Sequence, residues 1–395
     1  MAMRHLKDLH NLSGKRVLCR VDFNVSTDKK TGVIKDDTRI VAALPTIKQL
    51  VGGGARVILC SHFGRPEGRD PKLTLKPVAE RLATHLGKPV AFADDCIGAQ
   101  AEKAVAAMKN GDVLVLENLR YHEGEESDDA GFAAQLKQLA DVYVNDAFGA
   151  AHRAHASVHA VAKLFSEKAA GLLMEKEVEY LGRALLNPEH PYVVILGGAK
   201  VSDKIKVINK MLEVADTILI GGAMAYTFLL AQGKPTGKSL IEPDHVQTAK
   251  DVLAKAAALK KQFILPLDHV VAEKFEANAP NQTVGWDQIP ADKMALDVGQ
   301  KTVEKYKAEI AKARMVVWNG PLGVFELKPF NAGTFAIAHA VADNRSAISI
   351  VGGGESVAAA KKAKVADKIT HISTGGGASL EFLEGKILPG VAALS

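Results

Sequence analysis

Two lysines, Lys200 and Lys204, stand four residues apart behind a glycine pair in the stretch 192–212, YVVILGGAKVSDKIKVINKML. The apolar, β-branched run over 192–196 predicts a strand and Gly197–Gly198 a turn. Ile205, Ile208 and Leu212 predict a helix opening near Ser202. Like charges at the mouth of a helix repel each other and oppose the positive end of its dipole, so this pair calls for an anion. Unpaired backbone N–H groups at the same turn could bind it too. Two lysines snorkelling into water would leave the same trace in the sequence.

A second group of cations lies in the first half of the chain. Asp22 and Asn24 (VDFNV), His62 and Arg65 (SHFGRP), Arg120 (ENLRYH), Asn145 and Asp146 (NDAFG), and His152, Arg153 and His155 (AHRAHAS) each follow an apolar run, and Arg39 lies in DDTRI. A lone arginine here reads as a surface ion pair and a lone histidine as a structural residue. Four arginines and a histidine on one rim instead suit a small substrate with more than one anionic group, because guanidinium binds phosphate and carboxylate in two-pronged geometry. Asp22 and Asn24 could hold its hydroxyls. No nucleophile is paired with a base for covalent catalysis, which favours direct transfer.

The elements that must carry these residues are short apolar strands, expected at 17–21, 56–60, 89–92, 113–116 and 142–144, alternating with helical patterns. Strands covered on both faces predict a parallel, doubly wound α/β sheet, with ligands in the crevice at the strand carboxyl ends. The second half repeats the plan with glycine in place of basic residues: GGAKVSDK, GGAMAYTF, NGPLGVFE, GGGESVAA and STGGGASLEF each follow an apolar run. Five such turns on one sheet expose N–H groups and allow close approach by a ligand, as a nucleotide requires. Glu326 and Glu355 end two of them and are candidates for a ribose hydroxyl and for Mg2+, respectively, and each equally suits a helix start. No GxGxxG follows a strand, and GKPTGKS at 233–239 misses a Walker A by one position, with Gln232 where glycine is needed. Between the halves, 169–187 has helical spacing and is either a connector on which the halves move or an ordinary crossover helix.

The 395 residues suffice for two or three domains, and 47% hydrophobic and 24% charged residues are ordinary globular values. A net charge of +5 is too small and dispersed for a nucleic-acid protein. Cys19, Cys60 and Cys96 show no metal spacing and read as reduced, mostly buried thiols of a cytosolic protein. The amino terminus has no apolar core of a signal peptide, and the uncharged 217–233 is too short to span a membrane and reads as a buried strand and helix.

Together, RVDFNV, DDTRI, SHFGRP, LENLRYHEGEE, NDAFGAAHRAHAS, LGGAKVSDK, GGAMAYTF, WNGPLGVFE and STGGGASLEFLEGK closely resemble the phosphoglycerate kinase family over essentially the entire chain. The resemblance implies two α/β domains and reversible phosphoryl transfer from 1,3-bisphosphoglycerate to ADP, and the separation of basic and glycine-rich rims onto different halves predicts hinge closure. The resemblance also implies a 3-phosphoglycerate domain over 1–168, an interdomain helix over 169–187, a nucleotide domain over 188–383, and a tail, 384–395, that packs back on the first domain. The acid substrate would meet Asp22, Asn24, Arg39, His62, Arg65, Arg120 and Arg153. Mg-ATP or Mg-ADP would meet Gly198, Ala199, Lys200, Lys204, Gly222, Asn319, Pro321, Glu326, Gly354, Glu355, Ser356 and Thr374, with Glu355 at the metal. Arg39, Lys204 and the amides of Gly375, Gly376 and Gly377 would meet the moving phosphoryl group. The chain carries Glu355 where the family usually has aspartate, and departs also at Ser26 and Gln300, where proline is usual. No nucleic acid or membrane partner is expected, and the chain is expected to be a monomer. A nucleotide-dependent dehydrogenase and a non-catalytic nucleotide-binding protein are the competing readings.

Overall fold

The computed structural model describes residues 3–28 and 30–395. The chain divides into two compact units, Met1–Glu179 with Ile387–Ser395, and Tyr180–Lys386. The division falls within the helix Leu172–Leu186.

Each unit is built on a six-stranded parallel sheet flanked by helices. In the first, the spatial order is Ala91–Ala93, Val113–Leu116, Arg56–Cys60, Arg16–Arg20, Val142–Asn145, Lys168–Ala170. The chain starts in the middle, at Arg16–Arg20, moves toward one edge, and then crosses back to the other. Strand order therefore reverses around Arg16–Arg20, and the loops that follow it and its neighbours open the crevice. In the second unit the order is Gln262–Ile264, Thr217–Ile220, Tyr192–Leu196, Met315–Asn319, Ile348–Gly352, His371–Ile372, and the reversal lies between Tyr192–Leu196 and Met315–Asn319.

The central strands read as continuous apolar runs because both faces are covered: every residue of Val113–Leu116, Thr217–Ile220, Tyr192–Leu196 and Met315–Asn319 is buried. The uncharged 217–233 is a strand followed by the helix Met224–Ala231, which is buried over six consecutive residues, 224–229. Among the described residues no helix is long and apolar enough to cross a membrane.

Several expected boundaries move. The helix after the lysine pair is Ile205–Val214, so 201–204 form turns and Lys204 is the N-cap. Lys200 thus lies in the turn, and the two lysines do not share a helix face as their spacing suggested. The apolar periodicity fits the observed helix, which buries Val207, Ile208, Met211 and Leu212; nothing in it marks how many turn residues precede the first apolar one. The strand expected at 89–92 is Ala91–Ala93, and residues 169–170, expected in the connecting helix, are edge strand. Sequence reading also missed Gln262–Ile264 and a three-stranded antiparallel sheet, Asn281–Gly285, Asp268–Ala272, Met294–Val298. The exposed Asn281–Gly285 carries little alternation to reveal it. In the tail, Gly390 N–H donates to the Ala151 carbonyl at 2.9 Å, joining 387–395 to the first unit.

Candidate active site

In the first unit, Asp22 leaves the end of Arg16–Arg20 and accepts from Arg39 Nη1 through both carboxylate oxygens at 2.9 Å. Arg39 is held from the first turn of Thr38–Gly52. Asn24 Oδ1 accepts from Gly64 N–H at 3.0 Å, while the Gly64 carbonyl accepts from Arg120 Nη1 at 2.7 Å, so three loops are stitched together at one glycine. His62 is buried, and its Nδ1 faces Arg20 Nη2 at 3.0 Å. Arginine can only donate, so Nδ1 accepts and the neutral ring carries its proton on Nε2. Burial, reinforced by Arg20, Arg120 and Arg39, holds the imidazole well below its usual range. His155 is pushed down to about 4 by burial and by Arg120 and Arg153. Burial lowers Arg120 as well, and its Nε is buried without a hydrogen-bond partner. Arg120 Nη2 pairs with the exposed Glu126 at 3.1 Å, yet three arginines, Arg20, Arg39 and Arg120, act on the neutral His62 ring and the Arg120 Nε donor is unsatisfied, which suits an anion.

Arg153 donates to His152 at 3.2 Å. Arg65 is exposed and makes no ion pair among the described residues, so no contact ties it to this cluster.

Behind the rim lies a network that sequence reading missed. Arg20 is 1% exposed; its Nε donates to Ser157 Oγ at 2.9 Å. Ser157 in turn donates through N–H and Oγ to the two carboxylate oxygens of Glu125, at 2.9 and 2.6 Å. Arg20 is a charged residue inside the run VLCRV, and a charge in a strand covered on both faces was the signal available. Glu125 had none, since HEGEES reads as a solvated charged loop.

In the second unit, the turns after Tyr192–Leu196 and Met315–Asn319 interlock. Gly197 N–H donates to the Asn319 carbonyl and Gly198 N–H to that of Pro321, both at 3.0 Å, and Gly222 N–H donates to the Leu322 carbonyl at 3.0 Å. A Cβ on Gly320, which sits at φ +100°, would overlap the Gly197 backbone, so the close approach demands glycine at that position. Trp318 is fully buried and its Nε1 donates to the Gly320 carbonyl at 2.8 Å, while Ser356 Oγ accepts from Gly320 N–H at 2.5 Å. By contrast, Gly198, at φ +112°, has open space where a side chain would stand.

Lys204 Nζ donates to Asn319 Oδ1. Burial lowers the ammonium, and the nearby Asp203 and Glu355 oppose that shift. Glu355 is exposed in the first turn of Gly354–Lys362. Gly375 N–H donates to Ser373 Oγ at 3.2 Å, and Gly376 (φ +54°) precedes the helix Gly377–Leu383. Gly198, Lys204, Gly222, Asn319, Pro321, Glu355 and Ser356 thus meet around the reversal point, with Thr374 and Gly375–Gly377 two strands away. Ala199 and Lys200 lie exposed on the first turn, and Glu326 is exposed and makes no hydrogen bond or ion pair with the others among the described residues. Ser356 and the Pro321 carbonyl are already engaged by backbone N–H groups, so both shape the turn.

The family model for phosphoglycerate kinase matches residues 6–386. The chain belongs to the phosphoglycerate kinase family. It is 56% identical over 403 residues to a phosphoglycerate kinase of Koribacter versatilis and 56% identical over 396 residues to one of Moorella thermoacetica, with 100% of both chains covered in each case. Among solved structures, a phosphoglycerate kinase from Coxiella burnetii superposes with a TM-score of 0.91 at 40% identity, covering 100% of this chain and 99% of that one. One from Pyrococcus horikoshii gives 0.86 at 36% identity, covering 99% and 98%. The chain is accordingly a glycolytic kinase, a phosphotransferase with a carboxyl group as acceptor.

Proposed function

We propose that the first unit binds 3-phosphoglycerate or 1,3-bisphosphoglycerate, that the second binds Mg-ADP or Mg-ATP, and that the phosphoryl group passes directly between them. The observation that carries this reading is the group of cations around His62, with Arg120 Nε buried and unpartnered. Such a rim suits a small acid bearing a carboxylate and phosphate better than the single carboxylate of a simple hydroxy acid.

Arg120, Arg153, Arg65 and His62 Nε2–H would bind the phosphate of the acid substrate, with Asp22 and Asn24 on its hydroxyl. The turns at Gly198, Ala199, Lys200, Gly222, Asn319 and Pro321 would receive the nucleotide, Glu326 its ribose, and Gly354, Ser356 and Thr374 its phosphate end. Arg39, Lys204 and the amides of Gly375–Gly377 would meet charge on the moving phosphoryl. The attacking carboxylate, or the ADP phosphate in reverse, is already ionised and needs no base. Catalysis is then positioning and charge stabilisation.

For Mg2+, an exposed carboxylate at Glu355 beside Lys204 fits an ion that takes one or two carboxylates together with substrate phosphates. The ion would neutralise phosphate charge. Domain roles over 1–168 and 188–383, a connecting helix within 169–187, monomeric state and a cytoplasmic location complete the proposal.

A coupled assay with 3-phosphoglycerate and Mg-ATP tests it. Turnover is expected only when both substrates are present. Binding of both ligands without product would leave the non-catalytic reading.

A further inference from the structure

We infer that Asp95, Cys96 and His122 form a binding site for a zinc-class divalent cation, separate from the substrate rims. The three side chains come from two loops of the first unit. Asp95 and Cys96 lie between the edge strand Ala91–Ala93 and the helix Gly98–Ala106, and His122 ends the short turn Leu119–Tyr121. One ligand atom of each, a carboxylate oxygen, a sulfur and a ring nitrogen, all lie within 4.8 Å of one another.

Zinc bound by these atom types sits at about 2.0–2.3 Å from each, which places tetrahedral ligands roughly 3.5 Å apart. Small side-chain rotations close the difference. His122 Nε2 is already 2.7 Å from Asp95 Oδ1, and the same oxygen accepts from Cys96 N–H at 2.7 Å, so the loop is folded around the ligand set. The His122 ring is also held against Phe132, with centroids 5.5 Å apart. Asp95 and His122 keep 28% and 30% of their side chains exposed, which leaves an entry path and room for a water as fourth ligand. Cys96 is fully buried, and burial together with Asp95 raises its thiol well above the usual range.

On binding, the metal–sulfur bond replaces the S–H bond and the Cys96 proton goes to solvent. The imidazole proton is then carried on Nδ1, freeing Nε2 to coordinate. The thiolate and the Asp95 carboxylate together cancel the charge of the ion, so the buried thiolate is not left uncompensated. Sulfur and imidazole select a zinc-class ion over Mg2+, which requires oxygen ligands. Cross-linking the two loops would also brace the segment that carries Arg120 two residues before His122.

The test uses the full chain, stripped with a chelator and titrated with Co2+ as a spectroscopic substitute. One equivalent is expected to give tetrahedral visible bands and a thiolate-to-cobalt charge-transfer band, both chased by Zn2+. Cys96→Ser should abolish the charge-transfer band. His122→Gln, at a partly exposed position that disturbs the core less, should weaken binding by at least about tenfold, the lower bound seen even for outer-shell partners of metal sites. Cys19 and Cys60 remain in both variants, so a signal from either would survive. Absence of the charge-transfer band in the unmodified chain, its persistence in Cys96→Ser, or unchanged affinity in His122→Gln overturns the assignment.

Discussion

Lys204 shows how a single residue takes its role from its surroundings. As the N-cap of Ile205–Val214 it cannot spread its charge along a helix face, and it bonds to Asn319 from a neighbouring strand end. On the proposed reading, this partly buried ammonium would meet charge that develops during transfer. Lys204→Ala is expected to lower kcat by about 10²–10³-fold while nucleotide affinity changes much less, the pattern of an interaction used mainly in the transition state. Near-normal kcat in steady-state assays would remove Lys204 from the chemistry. Glu355 is the residue where the chain leaves its family's usual aspartate. Its carboxylate is exposed, so on the proposed reading the longer arm would reach Mg2+ directly or through a retained water. Glu355→Asp should keep activity within about tenfold, whereas Glu355→Ala should raise the Mg2+ midpoint and lower kcat. If a magnesium titration of Glu355→Ala shows both unchanged and only the melting temperature falls, the residue caps its helix, at about 0.3–1 kcal/mol.

At the scale of elements, three helices take their caps from distant carboxylates. Asp146 accepts from Leu173 N–H and Met174 N–H at 2.9 and 3.1 Å, at the start of Leu172–Leu186. Asp268 accepts from Lys301 N–H and Thr302 N–H at 3.0 and 2.9 Å, at the start of Gln300–Lys312. Asp297 accepts from Gly333 N–H at 2.8 Å, in the first turn of Ala332–Asp343. The residues at the local cap positions of the last two helices, Gly299 and Asn331, make no side-chain cap hydrogen bond, so even a favoured cap type such as Asn331 does not reveal which group does the capping. Burial raises Asp297 to about 7, against the opposing pull of the Gly333 and Val298 amides. A carboxyl raised in the fold stabilises it fully below the ordinary carboxylate pKa, and the contribution drains away as pH rises through about 7. Each unit of such a displacement is worth about 1.4 kcal/mol. Asp297→Asn, which stays neutral, should flatten the loss of stability between about pH 4 and 7 in denaturant melts. An unchanged slope would show that Asp297 is not the titrating group.

Across the whole molecule, the cationic rim and the glycine-rich rim belong to different compact units. Direct transfer requires the two bound substrates to be brought together. Small-angle scattering should therefore give a smaller radius of gyration with both substrates than with either alone. Equal radii in all states would argue against closure on binding.

The sequence by itself determined the parallel α/β class, the strand ends that carry the candidate site residues, and the division between basic and glycine-rich halves. These follow from apolar runs and turn residues, whose information is local. It also determined the family, because the motifs recur in order along the chain. Tertiary structure alone decided that Lys204, and not the pair with Lys200, stands at the helix start, and that Arg20, Ser157 and Glu125 support His62 from behind. It alone brought Cys96 to His122 and capped helices with aspartates far away in sequence. Such relations depend on which loops the sheet order makes neighbours. No spacing within a single stretch encodes that, because the partners are joined only when the strands between them have been placed.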